Sequence, residues 1–354
     1  MHILILTNSV RPYSGWGRCA SDLIAGIRNA GHSVTILKEE DDGYEGISIL
    51  KRGAGIFWSA CRVRRYAKEC DVVHALDGYP YGIIAALAAI GLKKKVVITA
   101  IGTYSVEPLY RVKTSKLLSW AYRKASRVVC ISRFTMDQIL KKVPLRNIGV
   151  VNLGINVAAY DTELEVPREQ FILSVGALKQ RKGYHISIPA YGMVKKRYPE
   201  MTYKIVGSQK DARYKEILLD LIRKQGIEGI EFIDEISDRE LHSLYSRARV
   251  FVLTSVNHSH HFEGYGLVCL EAAAMGLPVV ATRGNGIEDA VRDGYNGVLV
   301  DRNDINGTAQ AICEVVGDEA RWAVMSTHGR LWAKQHDNSM MIRPYLDMYT
   351  THNE

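Results

Sequence analysis

No stretch of the chain approaches the roughly eighteen uninterrupted apolar residues that a membrane-spanning helix needs; the longest candidate, Ile83 to Leu92, is about half of that. A transmembrane protein is not expected. The six cysteines, at 19, 61, 70, 130, 269 and 313, form no CxxC pair and no regular disulfide spacing, so they read as reduced thiols. No basic leader accompanies Met1 to Leu6, which runs straight into Thr7-Asn8-Ser9 as a first strand would, and the expected location is the cytoplasm. Repeats of solenoid period and low-complexity tracts are also missing.

Acidic charge is scarce in one region. Residues 51 to 150 carry 19 Lys plus Arg against 5 Asp plus Glu, whereas residues 166 to 354 are nearly balanced at 23 against 24. Such a concentration favours an anionic partner, and solvated helix faces account for it about as well. Nucleic acid is not expected, because no binding motif accompanies the charge. Segment Arg111 to Arg127 mixes Leu117, Leu118, Trp120 and Tyr122 with basic residues, so an anionic membrane surface at the inner membrane face is a candidate partner. A crossover helix with a packed inner face is the competing reading.

The 354 residues, 47% of them hydrophobic, suit two ordinary domains. Apolar β-type runs at His2 to Thr7, Ser33 to Leu37, Asp71 to Leu76, Lys95 to Ile101 and Arg127 to Ser132 alternate with helical stretches. After the polar stretch Ala158 to Gln170 a second series follows, at Phe171 to Val175, Thr202 to Val206, Ile230 to Ile233, Arg249 to Leu253 and Val279 to Thr282. Strand-helix alternation calls for parallel sheets, so the expectation is α/β with two doubly wound Rossmann-like domains. Their expected bounds are 1–160 and 161–335, with a final helix in 336–354 returning to the first. Ser237-Asp238-Arg239-Glu240 has the spacing of a capping box.

The segment Phe262-Glu263-Gly264-Tyr265-Gly266-Leu267, continuing to Val280, reads as loop, helix, stop and strand. Leu267, Leu270, Glu271 and Ala274 share one helix face, which turns Glu271 inward. A carboxylate there needs a partner such as a ribose, unless it sits at the edge of the stripe. Gly264 and Gly266 let the amides of Gly264 to Leu267 approach a ligand, and the helix N-terminus favours phosphate oxygens. Glu263, just ahead of that helix, is placed to accept from sugar hydroxyls and to favour positive charge on a sugar ring.

Glu263 and Glu271 together form an E-x7-E pattern that resembles the retaining glycosyltransferases of the GT-B fold, family four. The resemblance implies two Rossmann-like domains facing each other across a cleft, an acceptor-binding first half and a second half that binds a nucleotide-diphosphate sugar. It implies a UDP- or GDP-sugar as substrate, not as cofactor, and retaining transfer without a metal ion to a glycan, lipid-linked or small-molecule acceptor. Gly176-Ala177-Leu178-Lys179-Gln180-Arg181-Lys182-Gly183 resembles the family's phosphate loop, with Lys182 as the cation for the leaving nucleoside diphosphate. The family's usual Arg is Ala177 here, which leaves Arg181 or Lys179 to compensate. Gly284 to Asp289 resembles the loop touching the donor sugar, with Glu288-Asp289 replacing Pro-Glu. Ser14-Gly15-Trp16-Gly17-Arg18 resembles the glycine-rich loop facing diphosphate and acceptor, with Gly15 and Gly17 toward the donor and Trp16 toward the acceptor. Gly102 lies where the family often ends a strand near the transferred sugar with His, and that His is absent. Two other readings share these motifs: a nucleotide-sugar epimerase or hydrolase, and a noncatalytic scaffold. A metal site at His258, His260, His261 and Glu263 is not expected, because no helical His-Glu-x-x-His arrangement fixes its geometry.

Overall fold

A computed structural model of the chain describes residues 1–12, 15–160 and 166–351. It divides into two compact units, Met1–Gly154 with Asn338–Glu354, and Ile155–Asp337. The division precedes the polar stretch, because Tyr160 is buried within the second unit with its ring 4.7 Å from that of His242.

The first unit is built on β1 (His2–Thr7), β2 (Ser33–Lys38), β3 (Ile47–Ser48), β4 (Val72–Leu76), β5 (Lys95–Ala100), β6 (Arg127–Cys130) and β7 (Ile148–Val150). The second is built on β8 (Phe171–Val175), β9 (Thr202–Val206), β10 (Ile230–Ile233), β11 (Val250–Leu253), β12 (Val279–Thr282) and β13 (Gly297–Val300). Both sheets are wholly parallel, in the orders β3-β2-β1-β4-β5-β6-β7 and β10-β9-β8-β11-β12-β13. Every strand expected from the apolar runs is present. The three additional ones, β3, β7 and β13, are four residues or shorter and lie at sheet edges, where a long apolar run is not required.

In each unit the strand order reverses beside the first strand, between β1 and β4 and between β8 and β11. Loops at the carboxyl ends of such a strand pair diverge and leave a crevice, the usual ligand position in open α/β sheets. The central strands are buried on both faces, and the core of the second unit joins Ile172, Tyr203 and Val252 to Ile188, Tyr191 and Ile312 of its flanking helices. Ser237 caps the Asp238–Arg247 helix in a reciprocal capping box with Glu240. That helix delivers Tyr245 into the interior beside Leu244.

The Asn338–Thr350 helix belongs to the first unit and packs against the Gly15–Asn29 helix. Its Tyr349 hydroxyl lies 2.6 Å from Nδ1 of buried His74, whose Nε2 lies 2.8 Å from the Thr99 hydroxyl. Burial lowers the His74 pKa to about 3, so the imidazole is neutral in this network.

The Val112–Lys124 helix buries Leu118 and Tyr122 and half-buries Leu117 and Trp120. Leu118, Ala121 and Tyr122 therefore serve the core of the first unit, while Val112 at the start of the helix is exposed. This packing agrees with reading Arg111 to Arg127 as a crossover helix with a packed inner face. Among the described residues no helix is long and apolar enough to cross a membrane.

Candidate active site

The loops after β8 and β11 build the site of the second unit. Gly176 ends β8 at φ +150°, and a Cβ there would lie 3.0 Å from Cε of Lys182, so the missing side chain makes room for the lysine stem. Gln180–Lys182 forms a single turn closed by Gly183 in the left-handed region at φ +74°. That turn is fastened to the end of β11: the Thr254 hydroxyl donates to the Gly183 carbonyl at 2.8 Å, and the Val256 amide donates to the Arg181 carbonyl at 2.9 Å.

Both basic side chains of this turn reach one carboxylate. Lys182 Nζ lies 2.8 Å, and Arg181 Nη1 2.6 Å, from Oε2 of Glu263. Lys182 is buried, Arg181 is about one-third exposed, and Lys179 is exposed to solvent, so of the two residues that could compensate for Ala177 it is Arg181 that reaches Glu263. Burial alone would raise the Glu263 carboxyl, but the charges of Lys182 and Arg181 and their hydrogen bonds outweigh it and hold the pKa at about 2.

Gly266, at φ +81°, opens the Leu267–Ala274 helix. The preceding loop interlocks with Gly284 to Asp289. The Gly286 amide donates to the Glu263 carbonyl at 2.9 Å, and a Cβ on Gly286 would fall 1.9 Å from the Gly264 carbonyl oxygen. Asp289 is buried in this loop, and burial followed by the Asp289 charge raises the pKa of the Tyr265 hydroxyl. That hydroxyl has no hydrogen-bond partner among the described residues.

Glu271 is turned inward, 4% exposed, as the helix face requires. One of its oxygens accepts from the Tyr245 hydroxyl at 3.1 Å. Tyr245 went unrecognised in the sequence, although its place beside Leu244 on the inner face of a well-capped helix was a usable signal. The histidine-rich segment is a tight turn, with reciprocal backbone hydrogen bonds of 2.9 Å between His258 and His261 and Ser259 at φ +53°. No group of three or more potential metal ligands occurs among the described residues.

In the first unit Ser14 lies outside the described residues, and Gly15 begins the Gly15–Asn29 helix. A Cβ on Gly17 would overlap the Arg11 carbonyl oxygen at 2.1 Å, so the glycine is needed for close backbone passage. Trp16 donates from its indole to Thr7 at 3.1 Å and meets the rings of Tyr81 and Tyr104 at 6.2 and 6.1 Å. Gly102, at φ +137°, turns the chain out of β5.

Sequence reasoning missed Asp77, at the end of β4. Its carboxylate accepts from the Gly78 amide at 2.8 Å and from the Ser105 hydroxyl, and burial raises its pKa from 3.8 to about 7. Between those values the unfolded chain releases a proton that the folded chain keeps, so this group lowers stability as pH rises through that window. Asp77→Asn should raise the thermal midpoint at pH 8 and lose that advantage below pH 4. A difference that stays constant with pH would show that the charge is not the cause.

The comparisons with known proteins agree with this geometry. Residues 13–159 match the model described as Glycosyltransferase Family 4, and residues 160–332 match Glycosyl transferases group 1. The chain is 33% identical to the GDP-mannose-dependent alpha-(1-6)-phosphatidylinositol monomannoside mannosyltransferase of Mycolicibacterium smegmatis, over 94% of this chain and 93% of that protein. It is 26% identical to a glycogen synthase of Mycobacterium tuberculosis, over 90% and 87%. Among solved structures, HepE of Anabaena in complex with UDP superposes with a TM-score of 0.84 at 19% identity, covering 98% of this chain and 99% of that one. Two Rossmann-ordered sheets, paired glutamates on the second and a relative similar over almost the full length make this chain a member of the family 4 glycosyltransferases of the GT-B fold.

Proposed function

We propose that the chain is a retaining, metal-independent glycosyltransferase that moves a sugar from a UDP- or GDP-sugar to a glycan, lipid-linked or small-molecule acceptor. The observation that carries this reading is the pairing of Lys182 and Arg181 with Glu263 beside the start of the Leu267–Ala274 helix. An incoming diphosphate competes with Glu263 for the two cations and takes the helix amides as further donors. Breaking the bond from the anomeric carbon sends its electron pair to the diphosphate oxygen, where Lys182 stabilises the developing charge.

With Lys182 and Arg181 shared between the diphosphate and Glu263, the carboxylate stays ionised and is a weak base toward the acceptor proton near neutral pH. It acts as a fixed negative charge toward the ring, while the acceptor hydroxyl enters on the departing side and gives its proton to the leaving phosphate oxygen. The configuration is retained. Glu271 takes the ribose, with Tyr245 holding the carboxylate in place. HepE binds UDP and the mycobacterial relative uses GDP-mannose, which supports these two bases as the first to try.

The test is the thermal midpoint of wild type and Glu271→Ala with UDP, GDP, ADP and their sugar conjugates. At a hundredfold excess over Kd a ligand of the folded state adds about 2.7 kcal/mol, and this rise should appear for one nucleotide series and weaken in the variant. Transfer that requires an acceptor and survives EDTA completes the case. No response to any nucleotide, or donor consumption without an acceptor product, would refute it.

A further inference from the structure

Tyr245 and Glu271 belong to different helices, so the hydrogen bond between them depends on how the Asp238–Arg247 and Leu267–Ala274 helices sit against each other. Each helix ends in carbonyls that find no partner within the helix. Arg168, in the irregular segment before β8, reaches both ends with one guanidinium. Its Nη1 donates to the carbonyls of Tyr245 and Ala248 at 2.8 and 3.3 Å, and its Nη2 donates to the carbonyl of Met275 at 2.7 Å. Tyr245 is thus held at its carbonyl as well as at its hydroxyl. Met275 lies one turn after Glu271, and its amide donates to the Glu271 carbonyl at 3.3 Å. The guanidinium lies over the Trp322 ring, 5.2 Å from its centroid, and the neighbouring Glu169 amide donates to the Arg247 carbonyl at 2.7 Å, so both the fork and its backbone are fixed. Burial, followed by the charges of Arg330 and Arg249, lowers the Arg168 pKa to about 10, which leaves the group cationic at neutral pH.

We propose that Arg168 is a positioning residue for the nucleotide ribose: by clasping the two helix ends it sets the Tyr245–Glu271 pair that receives the ribose hydroxyls. The carbonyl end of a helix carries partial negative charge, so any cation is favoured there. Joining two such ends at a set spacing takes the rigid, multiply donating fork of arginine, which a lysine ammonium lacks. Without the clasp the helices can slip against each other, and a charge-assisted hydrogen bond from a hydroxyl to Glu271 weakens steeply as its geometry degrades. The diphosphate is held at the opposite end of the Leu267–Ala274 helix, by the helix start with Lys182 and Arg181, so the effect of Arg168 is confined to the ribose. This inference rests on the proposed function and deepens its nucleotide half.

Titration calorimetry with UDP, GDP and their dideoxyribose counterparts, well below the thermal midpoint, separates the ribose hydroxyls from the rest of the ligand. Wild type should bind the ribonucleotide about thirtyfold more tightly than the dideoxy form, the size expected of hydrogen bonds to a charged group. In Arg168→Met that ratio should fall to about threefold, with affinity for the dideoxy form within about twofold of wild type. KM for the donor should rise about tenfold while kcat at saturation changes little, as for an interaction equal in ground and transition states. Arg168→Lys should restore only part of the ratio, and it carries the same comparison if the methionine variant does not fold. In a Tyr245→Phe background Arg168→Met should lower the ratio no further, because both act on one pair. Arg247→Met, which removes an exposed ion pair with Glu169 at the same helix end, should leave the ratio at its wild-type value. An unchanged ratio in Arg168→Met, equal weakening of both ligand forms, or full restoration by lysine would overturn the proposal. Absence of any nucleotide binding by wild type would overturn the proposed function as well, which distinguishes the two failures.

Discussion

Lys182→Met should lower kcat by about a thousandfold, close to the upper range for removing one oriented charge from a developing oxyanion, or about 4 kcal/mol. The reason lies in the burial of the ammonium. Lys182 is 8% exposed, so once it faces the diphosphate its field is little screened by solvent. Methionine fills much of the same volume, and Arg181 remains to pair with Glu263, so the fold should persist with a smaller loss of stability. Donor affinity should fall less than kcat, because the charge on the leaving group is greatest at the transition state. Single-turnover rates with saturating donor, alongside nucleotide binding, separate the two. A kcat within tenfold of wild type would remove Lys182 from the catalytic role.

Gly183→Ala should cost more in folding than any charge substitution in the site, about 3 kcal/mol or more, read as a shift in the urea midpoint. Two penalties combine. At φ +74° an alanine is strained by about 1 kcal/mol, and its Cβ would lie 1.8 Å from the Thr254 carbonyl oxygen, which is fixed backbone at the end of β11. Relief requires the turn to move off that strand end, carrying Lys182 and Arg181 away from Glu263, so activity should fall with stability. Gly226→Ala isolates the first penalty, since Gly226 has φ +60° and open space around its Cβ position, and should cost only about 1 kcal/mol. Equal losses at the two sites would mean that the contact with Thr254 does not constrain the turn.

The fold was legible because parallel strands buried on both faces have to be apolar runs, and β1, β8, β9 and β12 follow those runs to the residue, as does the edge strand β10. The two-residue edge strand β3, exposed at both positions, lacks that requirement and left little trace. Helix periodicity was enough to turn Glu271 inward, but it could not supply Tyr245, which arrives from a helix more than twenty positions away in sequence. The convergence of Lys182 and Arg181 on Glu263 joins residues some eighty positions apart, and it is fixed by hydrogen bonds between the β8 and β11 loops that no local pattern encodes. At Arg111 to Arg127 the sequence left two readings open. Amphipathicity showed that one side of that helix is apolar, but not that this side faces the protein's own interior. Asp77 carried no signal because a single acidic residue after a strand is commonplace, and only its burial makes it unusual.

The helix that places Tyr349 against His74 is separated from the rest of its unit by the whole of residues 155–337. A ribosome therefore completes the second unit before it releases the segment that closes the first. During that interval the seven-stranded sheet of the nascent chain lacks the two tyrosines that cover His74 and Thr99, leaving apolar and polar core groups open to water and to other chains. Vectorial synthesis thus favours a sequence of events in which the younger unit matures first and the older one waits for its last helix, which makes the early sheet a natural client for a chaperone.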